Sequence, residues 1–318
     1  MNRAEPVLSM ANCQEQEFSC PPISPGSALA GCEVCGTSNR TLMFVKKGYR
    51  LVQCSGCGLV YVENPPSKED VSKLYNHGAY HSELADDNAP SSRWHAKKAA
   101  RHLRFLSRYR KAGRLLDVGC SAGFFLRQAR DEGWEVYGVE CNARSAQVAR
   151  QIHGLNVSSA LEELDFPNEF FDAVTFWDVI EHLPAPLSSV RSLARLIKPG
   201  GVVALETPNI DGLFPQLSYR VAKLLNHWPH PTPPAHLFQF SKKTMRLLLQ
   251  EAGFRVLATR SGRISLRYSF GMESLKRAAY SVAFAPTVLM GPLVGAGDHV
   301  TIAAMKMPLA LLQVSTAA

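Results

Sequence analysis

The segment Leu115-Leu116-Asp117-Val118-Gly119-Cys120-Ser121-Ala122-Gly123-Phe124-Phe125 constrains this chain more than any other. Two apolar residues lead into an acid, then come a turn of small residues and a stretch with helical spacing. This is the pattern of a buried parallel strand ending in a tight loop that opens a helix. Gly119 and Gly123 let the backbone pass close to a ligand, and Ser121 is nearly as small. Ser121 also breaks the G-x-G-x-x-G spacing that a nicotinamide-binding loop requires. Asp117 stands two residues before the first glycine, where a carboxylate accepts from a cationic amine and repels a pyrophosphate. The loop therefore suits a ligand carrying an ammonium group better than a dinucleotide, which argues against a nicotinamide-dependent dehydrogenase.

From Gly113 onward, strand and helix patterns alternate. Strands are expected at Arg114–Val118, Glu135–Glu140, Leu155–Val157, Phe171–Trp177 and Val202–Glu206. Helices are expected at Phe124–Glu132, Ala143–His153 and Pro186–Ile197, with Gly133, Gly154 and Lys198-Pro199-Gly200-Gly201 as stops. The alternation predicts an α/β fold with a doubly wound, mostly parallel sheet and helices on both faces. Later, Ser241 caps a helix over Lys242–Ala252, Gly253 stops it, and Phe254–Thr259 and His299–Lys306 read as strands. Glu140 ends the second strand, 17 residues past Gly123. The carboxyl ends of the first two strands lie side by side at the switch point of such a sheet, and an acid there can accept both hydroxyls of a ribose.

Ahead of the sheet stand two C-x-x-C pairs, Cys32/Cys35 and Cys54/Cys57, with eighteen residues between Cys35 and Cys54. The spacing is that of a zinc ribbon, and four thiolates form the closed tetrahedral cage of a structural Zn2+ ion. Arg50–Gln53 and Leu59–Val62 read as short ribbon strands. The organisation expected is a disordered tail (1–30), a ribbon module (31–65), a helical connector or cap (66–111) and a main domain (112–318) with an insertion at 262–298. Tyr75, Tyr80, His81 and Trp94 of the connector are candidates for lining a pocket. The net charge of +8 comes from scattered residues, which fits solubility better than a nucleic-acid surface. No apolar run reaches the ~18 residues of a spanning helix. Glu5, Glu15 and Glu17 exclude a secretory signal, so a cytoplasmic location is expected. The apolar run Ser281–Gly297, broken by Pro286 and Pro292, reads as a packed helical hairpin, with a substrate lid or peripheral membrane contact as the alternatives.

Taken in order, Asp117-Val118-Gly119-Cys120-Ser121-Ala122-Gly123, Glu140, Phe171-Asp172-Ala173-Val174, Ile180-Glu181-His182-Leu183 and Lys198-Pro199-Gly200-Gly201 resemble the motifs of class I S-adenosylmethionine-dependent methyltransferases. The resemblance covers about Ser67 to Lys306, and the cysteines resemble the ribbon that precedes some bacterial members. It implies a Rossmann-like sheet of seven strands closed by an antiparallel hairpin. It assigns Asp117, Gly119, Ser121 and Gly123 to the methionine end of S-adenosylmethionine, with Ser121 replacing the usual middle glycine. It assigns Glu140 to the ribose, Cys141 and the backbone near Leu161 to the adenine, and Asp178 to the surroundings of the methionine end.

Acid–base work falls to His182, which follows the fourth strand at the mouth of the sheet, and to His236, behind a Pro-rich loop (Pro229–Pro234) that arches over the same mouth. A histidine titrates near neutrality and can take a proton from an acceptor hydroxyl. The expected reaction is O-methylation of a small molecule: a sugar, a polyketide-like compound, a quinone precursor or a lipid-linked metabolite. The alternatives are an RNA- or macromolecule-modifying enzyme that uses the ribbon as reader through Arg40, Lys46, Lys47 and Arg50, and a non-catalytic scaffold. Oligomeric state is not encoded in these patterns.

Overall fold

The computed structural model describes residues 24–67, 69–71, 73, 90–225, 228, 230–262 and 275–308. Three strands come first, β1 (Arg40–Lys46), β2 (Tyr49–Cys54) and β3 (Val60–Val62). Helix α1 (Pro90–Leu106) precedes an alternating run of β4 (Arg114–Val118), α2 (Phe124–Asp131), β5 (Glu135–Val139), α3 (Ala143–Gln151), β6 (Asn156–Ser158), β7 (Phe171–Trp177), α4 (Pro186–Ala194) and β8 (Ile197–Pro208). Then follow α5 (Leu213–Leu225), β9 (Phe238–Gln239), α6 (Lys242–Glu251), β10 (Phe254–Gly262), α7 (Leu275–Met290) and β11 (His299–Lys306).

The main sheet has seven strands in the order β10-β11-β8-β7-β4-β5-β6. Strands β6, β5, β4, β7 and β8 run parallel, and β11 closes the sheet antiparallel to both β8 and β10. The chain leaves β4 for β5 on one side and returns to β7 on the other, so the switch point lies at the carboxyl end of β4. Alternate side chains feed opposite faces. Leu115, Ala173, Val202 and Ala303 pack with α1, α2 and α3. Leu116, Val174, Val203 and Val300 pack with α4, α6 and the cysteine ribbon. Ribbon and main sheet thus share one core. The ribbon sheet has the order β1-β2-β3-β9, so its fourth strand comes from the far side of the main domain.

Several boundaries differ from the sequence reading. The helix expected over Pro186–Ile197 stops at Ala194, because Ile197 already pairs with Phe171. The Lys198–Gly201 motif ends no helix. It is an irregularity inside β8, where the register jumps from Phe171↔Ile197 to Ala173↔Val202 and Gly200 takes φ 73°. Strand β1 and helix α5 were not anticipated, since neither Arg40–Lys46 nor Leu213–Leu225 shows a clean period beside a strong stop. Residues 1–23 of the expected tail lie outside the described residues, but its end runs along the ribbon: Gly26 N donates to Pro65 O (3.0 Å) and Leu29 N to Glu63 O (2.7 Å). Tyr75, Tyr80 and His81 also lie outside the described residues, while Trp94 sits on α1 beside His95. Within the expected insertion, Phe284 and Val288 of α7 pack against Phe214 of α5. Its other side exposes Val282, Met290, Leu293 and Val294. No described helix is long and apolar enough to cross a membrane.

One buried acid ties the base of the sheet together. Asp172, at the start of β7, accepts from Arg114 N (3.0 Å), from Lys198 Nζ (2.8 Å) and from Arg110. Burial opposes its ionisation, but the Lys198 ammonium, the Arg114 amide and Arg110 hold its pKa down at about 2. An acid depressed in the folded state stabilises above its ordinary pKa and loses that contribution as pH falls through its folded pKa. Asp172→Asn should therefore cost about 2–3 kcal/mol in denaturant unfolding near neutral pH, shrinking as pH falls from about 4 to about 2.

Candidate functional site

The loop after β4 is shaped by three residues at positive φ: Gly119 (72°), Ser121 (50°) and Gly123 (85°). The glycines are required by the protein's own packing. A Cβ on Gly119 would fall 2.4 Å from Val179 Cγ2, and one on Gly123 2.3 Å from Leu155 Cδ1. Ser121 is small but carries the left-handed conformation that a glycine adopts without strain. Its buried hydroxyl has no hydrogen-bond partner. The loop is tied to the next strand: Gly119 N and Cys120 N both donate to Val139 O (2.7 and 3.0 Å).

The structure brings the two sequence-predicted acids to this loop. Glu140 follows β5 directly. Its Oε2 accepts from Ser121 N (2.8 Å) and its Oε1 from Asn142 N (2.7 Å). Asn142 in turn caps α3 by accepting from Ser145 N (2.8 Å). Burial raises the Glu140 pKa, although these amides pull it back. Asp117 is buried in β4 and accepts from Thr175 Oγ1 (2.6 Å). Burial pushes its carboxyl up to about 8; Thr175 opposes the rise and Glu140 adds to it. A buried acid that, among the described residues, has a neutral hydroxyl donor and no cation beside it is poised for an incoming ammonium group. Cys141 lies exposed beside Glu140, and Leu161 opens a short 3-10 turn (Leu161–Glu163) after β6. The residues expected at the cofactor therefore lie around the carboxyl ends of β4, β5 and β6.

A second group assembles beyond β7, in the segment after Val179, the residue that packs on Gly119. His182 and His236, 54 positions apart, meet edge to face with ring centroids 4.7 Å apart. His182 Nδ1 is 2.7 Å from Ala235 O. A carbonyl only accepts, so Nδ1 carries the proton and Nε2 the lone pair. Burial lowers the pKa of both rings, that of His236 well below the ordinary value. Glu181, His182 and His236 each bring a ligand-type atom within 4.8 Å of the others, a spacing at which a cation can be held. Glu181 is buried, with its pKa raised to about 8 by burial and by Asp178.

Asp178 stands at φ 57° and pairs with Lys98 of α1, with His299 Nε2 3.7 Å away. Lys98 and His299 were missed by sequence reasoning. So was Glu206, which accepts from Arg101 (2.7 Å), Thr301 (2.8 Å) and, at 3.0 Å, a protonated His102 Nε2. Burial opposes its charge, but His102, Lys98 and His299 hold its pKa well below the ordinary value. Its position at the carboxyl end of a parallel strand was the available signal; its partners on α1 and β11 had none.

The four ribbon cysteines converge. Cys32 Sγ lies 3.6 Å from Cys57 Sγ, Cys35 Sγ lies 3.4 Å from Cys54 Sγ, and all four lie within 4.8 Å of one another. Four sulfurs at this spacing fit a tetrahedral Zn2+ ion. Three of the four basic residues named for a reader, Arg40, Lys46 and Arg50, are engaged within the protein, while Lys47 is exposed. Arg40 and Arg50 each meet Glu63 at 2.5 Å, and Lys46 donates to two backbone carbonyls. That leaves little of the basic face a nucleic-acid reader needs.

A family model described as a methyltransferase domain matches residues 92–259. The ubiquinone biosynthesis O-methyltransferase of Alkalilimnicola ehrlichii is 40% identical over 104 residues, covering 30% of this chain and 42% of that protein. The protein of the same name from Aliivibrio fischeri is 35% identical over 104 residues, covering 30% and 44%. The chain thus spans less than half the length of these curated relatives. Among solved structures, a chain from the complex of the Haloferax volcanii Trm112 methyltransferase activator with a methyltransferase superposes with a TM-score of 0.51 at 16% identity, covering 72% of this chain and 97% of that one. The [4+2]-cyclase SpnF gives 0.52 at 18% identity, covering 76% and 98%. These two likenesses are of fold alone, and one bears the name of a cyclase, so the fold by itself does not fix the reaction.

Removing the Glu140 carboxylate leaves two buried amides without an acceptor. Glu140→Ala should lower unfolding free energy by about 1–3 kcal/mol, and Glu140→Gln, which keeps one acceptor, by less, in equilibrium denaturation.

Proposed function

This chain belongs to the methyltransferase domain family, and on that premise we propose that it transfers a methyl group from S-adenosylmethionine to the oxygen of a small-molecule acceptor. One observation carries the proposal: the Ser121–Glu140 hydrogen bond, which joins the loop after β4 to the acid after β5 at the carboxyl ends of the first two parallel strands. Relatives named for ubiquinone biosynthesis support a phenolic, quinone-like acceptor over a sugar, polyketide-like or lipid-linked one. The engaged basic residues of the ribbon disfavour a macromolecular substrate.

S-adenosylmethionine, when bound, supplies a methyl group already made electrophilic by the sulfonium. In this reading Asp117 accepts from its ammonium group and Glu140 from its ribose hydroxyls. Cys141 and the backbone near Leu161 flank the adenine. Asp178, pinned by Lys98, borders the methionine end. The protein's task is then to align the acceptor and exclude water. As the acceptor oxygen bonds to the methyl carbon and the carbon–sulfur bond breaks, the hydroxyl proton goes to His182 Nε2. The Ala235 carbonyl fixes the tautomer that makes this nitrogen basic, and His236 packs against the ring. Cys32, Cys35, Cys54 and Cys57 hold a structural Zn2+ ion in a closed cage. Free cysteines throughout the described residues agree with the cytoplasmic location expected from sequence.

Burial pushes the carboxyl of Asp117 up to about 8, and only its charged form attracts an ammonium group. Affinity for S-adenosylhomocysteine should rise between about pH 6 and 8, by at most about tenfold per unit, with proton release seen as buffer-dependent binding heat. Asp117→Asn should flatten that dependence; a flat profile in the parent would remove Asp117 from the cofactor site.

Both histidines titrate below their ordinary value, so the neutral base persists at low pH. With S-adenosylmethionine saturating, so that the Asp117 dependence of binding drops out, kcat should stay level down to about pH 6.5 and fall only below it. His182→Ala should reduce kcat by about 10²–10⁴-fold with cofactor affinity unchanged. Full activity in that variant would reject the histidine as base.

A further inference from the structure

The loop that carries His236 is held at both ends by the cysteine ribbon. At its start, Lys46 Nζ, on the β1–β2 hairpin, donates to Trp228 O and Pro231 O, both at 2.8 Å. The Trp228 ring is buried with Leu51 and Val60 of β2 and β3, and meets Phe44 of β1 at 5.9 Å. At its end, β9 pairs antiparallel with β3, Val60 opposite Gln239 and Tyr61 opposite Phe238, and Val62 N donates to Leu237 O (2.8 Å). The same stretch then reaches the site. Leu237 N donates to Glu181 O (2.9 Å), and Ala235 O accepts from His182 Nδ1 (2.7 Å).

A strand of two residues does not hold itself in place. Its partner β3 is set by the second cysteine knuckle, where Cys54 N donates to Leu59 O (2.8 Å) and Gly58 N to Cys54 O (3.0 Å), with Cys54 and Cys57 facing the metal position. A chain of short contacts thus runs from the sulfurs through β3 and β9 to His236 and His182. The cofactor side has other supports. Asp117 is held by Thr175, and Glu140 by Ser121 and Asn142, all outside the ribbon.

We infer that the ribbon works within its own chain as the mount for the His236 loop, so that its metal orders the acceptor half of the site and leaves the cofactor half alone. This rests on the reading above only in naming His236 as part of the acceptor site. Lys46 is a second positioning residue, acting at the opposite end of the loop from the cysteines.

Hydrogen exchange read by mass spectrometry tests the mount without an acceptor. Zinc-loaded protein is compared with the chelated protein, with Cys57→Ser and with Lys46→Met, which keeps all four cysteines. Loss of zinc should speed exchange over 230–240 by about tenfold or more and leave 114–140 protected. Lys46→Met should speed exchange over 230–236 alone. Calorimetric affinity for S-adenosylhomocysteine should stay unchanged in each. Unaltered exchange over 230–240 without zinc, or in Lys46→Met, overturns the inference. So does joint loosening of 230–240 and 114–140, which would make the ribbon a general stabiliser. Absence of binding heat in the parent protein would instead count against the proposed function, while the exchange data still judge the mount.

Discussion

The Glu140 carboxylate, accepting at once from Ser121 N and Asn142 N, is the contact on which the site is built. It fixes the bend after β4 against the start of α3 and does so with a charge-bearing group that burial disfavours. The arrangement is tolerable because two amides converge on the carboxylate, each compensating part of its lost hydration. The loop keeps its left-handed turns for a related reason. Gly119 and Gly123 leave room for Val179 and Leu155, so the same bend brings β7's exit and α3's neighbour into contact.

From that bend the two halves of the site differ in character. Around β4 and β5 the polar groups are acids whose ionisation burial resists, Asp117 most of all. Such a pocket gains most from an incoming cation. Around β7 and β8 the charges are already paired: Asp178 with Lys98, and Glu206 with Arg101, the His102 ring also bonding to Glu206. These pairs brace α1 against the sheet. The two imidazoles of the same half are kept uncharged by burial. One half is therefore suited to holding a charged donor and the other to accepting a proton.

The ribbon changes meaning once its fourth strand is seen. As a sequence it is a self-contained metal knuckle with a few basic residues. In the fold, Glu63 collects Arg40 and Arg50, the Lys46 ammonium is turned inward onto carbonyls, and β3 recruits β9 from far along the chain. Its hydrophobic residues join the same core as α4 and α6. A module that shares a core cannot move independently of it, which is why its influence reaches His236.

The loop after β4, the acid after β5, the cysteine spacing and the alternation of strands and helices were legible in the chain itself, because each is a local pattern with a local cause: periodicity, turn chemistry or ligand geometry. The stops were less legible. Lys198–Gly201 reads as a helix end and is a kink in a strand, since glycine marks an irregular backbone without saying of which kind. Contacts between distant segments were beyond reach. That His182 faces His236, that Lys98 meets Asp178, and that Phe238–Gln239 completes the ribbon follow from how the sheet closes. Closure is decided by the burial of whole faces, a property no short stretch of sequence carries.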